Sequence, residues 1–128
     1  MHVKNFHWIL IEDAESKRDV IARFLKKCGV LYTHLAIRTR QNFQLREQDP
    51  RWKKPRGVEQ RNAGISWLRA NVKRETANGV VYFVDDDNTY DLELFEQVSN
   101  YFCLFAVEVL ILIICMTQIG CFFSCWYD

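Results

Sequence analysis

Proline is scarce in this chain: there are two, Pro50 and Pro55, and both fall in one stretch, where Asp49-Pro50 and Lys54-Pro55 read as loop. Net charge is also scarce. Seventeen basic residues against sixteen acidic ones leave +1, so no global field points to nucleic acid. Cys121-x-x-x-Cys125 has no nearby histidine and no second pair, which argues against a zinc site. There is no internal repeat, no low-complexity segment and no basic-then-apolar pattern at the start that would act as a targeting signal. With 128 residues the chain has room for one domain and a modest core.

Charge, though balanced overall, is unevenly placed. Arg38, Arg40, Arg46, Arg51, Lys53, Lys54, Arg56 and Arg61 stand against Glu47, Asp49 and Glu59, a run that suits either a solvated loop or an anionic ligand. From Val98 onward charge nearly vanishes: Glu108 alone interrupts the apolar character before Asp128, and four of the five cysteines lie there. Residues 101–123 reach the roughly 20 residues of a spanning helix, at the cost of carrying Glu108, Thr117 and Gln118. A membrane tether is therefore one reading of this segment. Cys28 ends a helical pattern and reads as a small buried residue.

Hydrophobic periodicity divides the rest. His7 to Ile11 is an apolar run that stops at Glu12 and Asp13 and reads as a buried strand. From Ser16 a helical pattern places Val20, Ile21, Phe24, Leu25 and Cys28 on one face, and Gly29 is placed to end it with positive φ. Tyr32 to Ile37 reads as a second strand, and Val58 to Val72 as a helix in which Ile65, Leu68 and Val72 repeat at helical spacing. Val80 to Val84 suits a central strand. Asp91 to Val98 reads as a short helix. This alternation predicts an open α/β sandwich with a parallel sheet.

The most informative feature is the end of that third strand, where Asp85-Asp86-Asp87 follow one another. Three carboxylates side by side repel unless a cation sits between them, and hard divalent ions prefer carboxylate oxygens together with substrate phosphates. Ligands in open α/β sheets collect outside the carboxyl ends of the strands. A solvated turn is the plainer reading of Asp85 to Asn88, and a helix cap the plainer reading of Asp13. By the same standard Arg61 is a surface helix residue, His34 is structural, and Trp67 belongs to the core.

Several blocks together carry a more specific signal. They are His7-Trp8-Ile9-Leu10-Ile11-Glu12-Asp13-Ala14, Tyr32-Thr33-His34-Leu35, Pro55-Arg56-Gly57 with Gln60-Arg61-Asn62, and Trp67-Leu68-Arg69. Gly79 to Phe83 then leads into Asp85-Asp86-Asp87-Asn88-Thr89-Tyr90, and Leu92-Glu93-Leu94-Phe95-Glu96 closes the series. In this order and spacing, over about residues 5 to 97, the chain resembles the galactosylgalactosylxylosylprotein 3-beta-glucuronosyltransferase family. The resemblance implies a GT-A-type nucleotide-sugar-binding open sheet with flanking helices, UDP-glucuronate as donor, Mn²⁺ as cofactor, and a galactose-terminated glycan as acceptor. It also implies that Asp87 ligates the metal, that Asp85 and Asp86 contact ribose or sugar hydroxyls, and that Asp13 reads the uracil. Arg56 and Arg61 would face the diphosphate and the uronate.

The same resemblance sets limits. Family members are Golgi membrane proteins, often homodimeric, with an anchor and a first strand whose Pro-Thr-Tyr motif stacks on the uracil. The chain is expected to begin inside the catalytic domain, beyond that strand. Residues 1–98 read as a partial donor-binding domain, and 99–128 as an apolar, cysteine-rich tail unrelated to the family. The general base for the acceptor hydroxyl belongs to the acceptor half, so no catalytic residue is assigned, Glu93, Glu96 and Glu108 included. The chain alone is expected not to transfer sugar. Two further readings are a non-catalytic membrane-associated protein with a vestigial nucleotide-sugar site, and another metal-dependent nucleotide enzyme.

Overall fold

A parallel strand covered on both faces has no need of alternating polarity, and His7 to Ile11 has none. It forms the most buried part of β1 (Phe6–Glu12), in which Trp8, Ile9, Leu10, Ile11 and Glu12 are all buried. The computed structural model describes residues 6–44, 48–50, 53–54, 57–73, 79–85, 88, 90–91, 93–94 and 109–116, the last for their backbone course. Within it follow α1 (Asp19–Lys27), β2 (Leu31–Ala36), α2 (Val58–Asn71), β3 (Gly79–Asp85) and β4 (Val109–Met116). The sheet order is β2-β1-β4-β3 and every pairing is parallel. The α/β class and the parallel sheet agree with the sequence expectation.

The two faces of β1 are closed by different helices. Trp8 and Leu10 pack with Ile21 and Leu25 of α1 and with Val84, while Phe6, Phe24, Cys28, Tyr32 and Tyr82 surround them. Ile9 and Ile11, one residue out of phase, pack with Leu35 and with Trp67, Leu68 and Val72 at the far end of α2. Each of these aliphatic side chains contributes about 1.5–3 kcal/mol on leaving water. Trp67 thus belongs to the core, with its ring edge-on to His7 at 5.3 Å between centroids. Cys28 is partly buried, and its thiol donates to the Phe24 carbonyl.

α1 starts later than the pattern from Ser16 suggests, because Arg18 is held in extended conformation at the N-cap. Val20, expected inward, is 52% exposed; the core face is narrower than the apolar stripe, and Ile21 and Leu25 fill it. Gly29 follows the helix at φ 65, and a Cβ built there meets nothing within 4 Å. Gly29→Ala should therefore cost about 1 kcal/mol through backbone strain alone. Urea denaturation checks this, and an unchanged midpoint would mean that the turn relaxes freely.

Three further expectations are revised. β3 is not central but lies at the edge of the described sheet, with Val81 40% and Phe83 37% exposed, because β4 takes the position beside β1. The segment from 99 onward, set apart on composition, supplies β4 itself: Ile113 is in register with Ile9 on one side and Phe83 on the other. The same strand lies within the segment 101–123 that suits a membrane tether; an extended strand hydrogen-bonded inside a sheet is not part of a spanning helix. No helix among the described residues is long and apolar enough to cross a membrane. The short helix expected at 91–98 lies mostly outside the described residues, although Leu94 N–H donates to the Asp91 carbonyl at 3.1 Å, as in a first turn.

Candidate functional site

Because the strands are parallel, their carboxyl ends share one edge of the sheet, where Asp13 follows β1, Thr39 follows β2 and Asp85 ends β3. The first turns of α2 reach the same edge: Gln60 contacts the chain beyond β2, and Arg61 contacts the end of β3. Gly57, at φ 68, lets the chain turn into α2 without a side-chain cap. The positive end of a helix dipole therefore faces this edge.

Asp13 is half-buried after β1, and its carboxylate does not cap α1. Its Oδ1 accepts from Thr39 N–H at 2.6 Å and its Oδ2 from Thr39 Oγ1 at 2.7 Å, which ties the β1 loop to the β2 loop. Gln60, fully buried, donates through Nε2 to the Ile37 carbonyl at 2.8 Å and to Thr39 Oγ1 at 3.1 Å. At the end of β3, Arg61 donates to Asp85 Oδ1 in an ion pair whose side chains are 35% and 42% exposed. At that exposure the pair adds little stability. It does fix where a guanidinium and a carboxylate sit at the sheet edge. Asp85 N–H in turn donates to the Tyr90 hydroxyl at 3.1 Å, which closes the strand end.

The structure thus brings Asp13, Arg61 and Asp85 to one edge, through Thr39 and Gln60. Arg56, Asp86 and Asp87 lie outside the described residues. Among the described residues no group of three His, Cys, Asp or Glu side chains is arranged to hold a metal ion.

Much of the basic run is neutralised locally. Arg38 pairs with Glu15, Arg40 with Glu59 and Lys53 with Asp49, while Lys54 Nζ donates to the carbonyls of Asn42 and Gln44 at 2.8 and 2.7 Å. For these residues the solvated-loop reading holds. Glu12 does different work beneath the edge. Fully buried, it accepts from Arg18 N–H at 3.1 Å, from Arg18 Nε and from His34 Nε2. Burial pushes its carboxyl pKa up, but the hydrogen bonds from Arg18 and His34 outweigh burial and hold it below the usual glutamate value. His34 is thus a structural partner. Thr39, Gln60 and Tyr90 are contributors that residue-by-residue reading passes over. The signal for Gln60 was its place beside Arg61 on the face of α2 that packs inward.

The sequence profile of glycosyltransferase family 43 matches residues 1–111. The chain belongs to that family. The family match runs past residue 98 into the first residues of β4. Among family relatives, galactosylgalactosylxylosylprotein 3-beta-glucuronosyltransferase 1 of Rattus norvegicus is 50% identical over 103 residues, covering 78% of this chain and 30% of the relative. Galactosylgalactosylxylosylprotein 3-beta-glucuronosyltransferase 3 of Mus musculus is 47% identical over 104 residues, 74% of this chain and 31% of the relative. Galactosylgalactosylxylosylprotein 3-beta-glucuronosyltransferase sqv-8 of Caenorhabditis elegans is 46% identical over 99 residues, 77% of this chain and 28% of the relative. The family 43 chain therefore spans about 30% of the length of the relatives it matches.

Proposed function

We propose that the carboxyl edge of this sheet is the UDP-glucuronate side of a metal-dependent, inverting glucuronosyltransferase of GT-A type, acting on galactose-terminated glycans in the Golgi lumen. The observation that carries this reading is the convergence of Asp13, Arg61 and Asp85 from three separate elements onto one edge, beside the amino end of α2. Asp13 offers carboxylate oxygens to the N3–H of uracil. Arg61, with Arg56, offers a planar donor fork to phosphate or uronate oxygens. Asp85 and Asp86 accept from ribose or sugar hydroxyls.

The triplet that begins with Asp85 is a hard-oxygen donor set, and Asp85 is already engaged by Arg61. The family resemblance makes Asp87, the last carboxylate of the triplet, the Mn²⁺ ligand. Bound there, Mn²⁺ supplies charge neutralisation to the diphosphate leaving group. The chain's own residues bind and orient the donor; the base that deprotonates the acceptor hydroxyl belongs to the acceptor side of such an enzyme.

Calorimetric titration of UDP-glucuronate into the full 128-residue chain, with and without Mn²⁺, tests this. Binding should require Mn²⁺ and vanish in Asp87→Ala, and Arg61→Ala should weaken it roughly tenfold through loss of a charge-assisted contact. Equal affinity for adenosine diphosphate would instead favour another nucleotide enzyme, and metal-independent binding would remove Asp87 from its role.

A further inference from the structure

We infer that Thr39 and Gln60 are positioning residues that set nucleobase specificity by holding the Asp13 carboxylate in one plane, an inference that rests on the proposed uridine-diphosphate site. Asp13 uses both oxygens on one residue, Thr39, whose N–H and Oγ1 lie at 2.6 and 2.7 Å. Two donors on two oxygens fix rotation about the carboxylate's own bond, which a single contact would leave open.

The direction of the Thr39 hydroxyl is set in turn by Gln60. Its Nε2 lies 2.8 Å from the Ile37 carbonyl, an acceptor with no proton to give, so the amide nitrogen must face that way. The remaining Nε2 hydrogen then points to Thr39 Oγ1 at 3.1 Å. Since Thr39 Oγ1 accepts from Gln60, its own proton goes to Asp13 Oδ2. Gln60 is 0% exposed, and its Oε1 finds no hydrogen-bond partner among the described residues. An apolar side chain would avoid that unpaired acceptor, so the amide's value lies in its two donated bonds. Because Arg61 is the next residue of α2, the chain of bonds also ties the base-reading carboxylate to the helix that carries the anion-facing arginine.

Uracil presents an N3–H donor where cytosine presents a bare acceptor. A carboxylate held in place rewards the first and repels the second; a carboxylate free to rotate loses that discrimination. The comparison is therefore UDP against CDP, measured calorimetrically with Mn²⁺ on the full chain. Thr39→Val, which removes the hydroxyl and keeps the N–H, should weaken UDP roughly tenfold and leave CDP nearly unchanged. Thr39→Ser should restore the wild-type ratio. Gln60→Leu should lower the ratio in the same direction, and combining it with Thr39→Val should add nothing further, since both act through one hydroxyl.

The outcomes separate cleanly. A UDP/CDP ratio lost in Asp13→Asn but intact in Thr39→Val overturns the positioning role and leaves the donor site standing. A wild-type chain that binds neither nucleotide, or prefers neither, overturns both. Equal losses for UDP and CDP in Thr39→Val, with no rescue by serine, show a merely structural residue and also overturn the inference.

Discussion

Ile113→Pro is expected to abolish cooperative folding. β4 lies between β1 and β3, so each of its backbone N–H groups faces a neighbouring strand, and Ile113 is in register with Ile9 and Phe83. Proline there removes a ladder donor and forces its ring into the sheet, at about 3 kcal/mol or more. Against a total stability of about 5–15 kcal/mol for a domain, that loss is large. It also falls where it does most harm, since among the described residues β3 has no partner other than β4. Asp85 reaches Arg61 from the end of that strand, so the site should fail together with the sheet. Asp19→Pro is the control. It places proline at the first position of α1, after an Arg18 already in extended conformation (φ −83, ψ 134), where a helix leaves its N–H unpaired in any case. Urea denaturation followed by circular dichroism should show a broad or absent transition for Ile113→Pro and a near-normal one for Asp19→Pro. A normal transition in both would show that β4 is dispensable. By the same reasoning residues 1–98 alone should not bind the donor, because β3 would lose its backbone partner.

The second large effect concerns Glu12. Glu12→Leu removes the acceptor for three donors and leaves His34 and the Arg18 N–H facing an apolar side chain. Breaking a buried charged cluster on one side costs about 3 kcal/mol. Glu12→Gln should cost less, because its amide keeps one acceptor, although its NH₂ then opposes a donor. The cluster also predicts a pH dependence. Glu12 has a folded pKa below its ordinary value of 4.5, so its contribution is fully present above that value and is lost as the pH falls through the folded one. Wild type should therefore lose more stability between pH 7 and pH 3 than Glu12→Leu does. Parallel pH curves for the two would mean that folding does not lower the Glu12 pKa.

Much of the fold was legible because it is local. The apolar run from His7 to Ile11, the spacing of Ile21 and Leu25, and a glycine at the end of α1 each follow from one short window and one period. The boundary of α1 was less so. Ser16 opens a helical pattern, yet Arg18, bonded to Glu12, keeps the chain extended until Asp19. For the candidate site, Asp13, Arg61 and Asp85 stand out as motif residues, and their position at strand ends and the start of a helix follows from parallel topology. The roles of Thr39 and Gln60 were not legible. Gln60 stands beside Arg61 in a motif block, but nothing in that block, and nothing about a threonine in a loop, shows that the two hold a distant carboxylate.

The role of residues 99–128 was not legible either. Their apolar character suits a membrane segment, a loose tail or a buried strand, and composition cannot choose among them. The sequence by itself determined the family, the parallel α/β class and the identities of the residues at the strand ends, because these rest on short motifs and local periodicity. The tertiary structure alone decided that residues 109–116 run between β1 and β3, and that Asp13 is held through Thr39 and Gln60. Both are matters of register and contact between segments far apart in the chain, and such pairings form only once several elements have packed together.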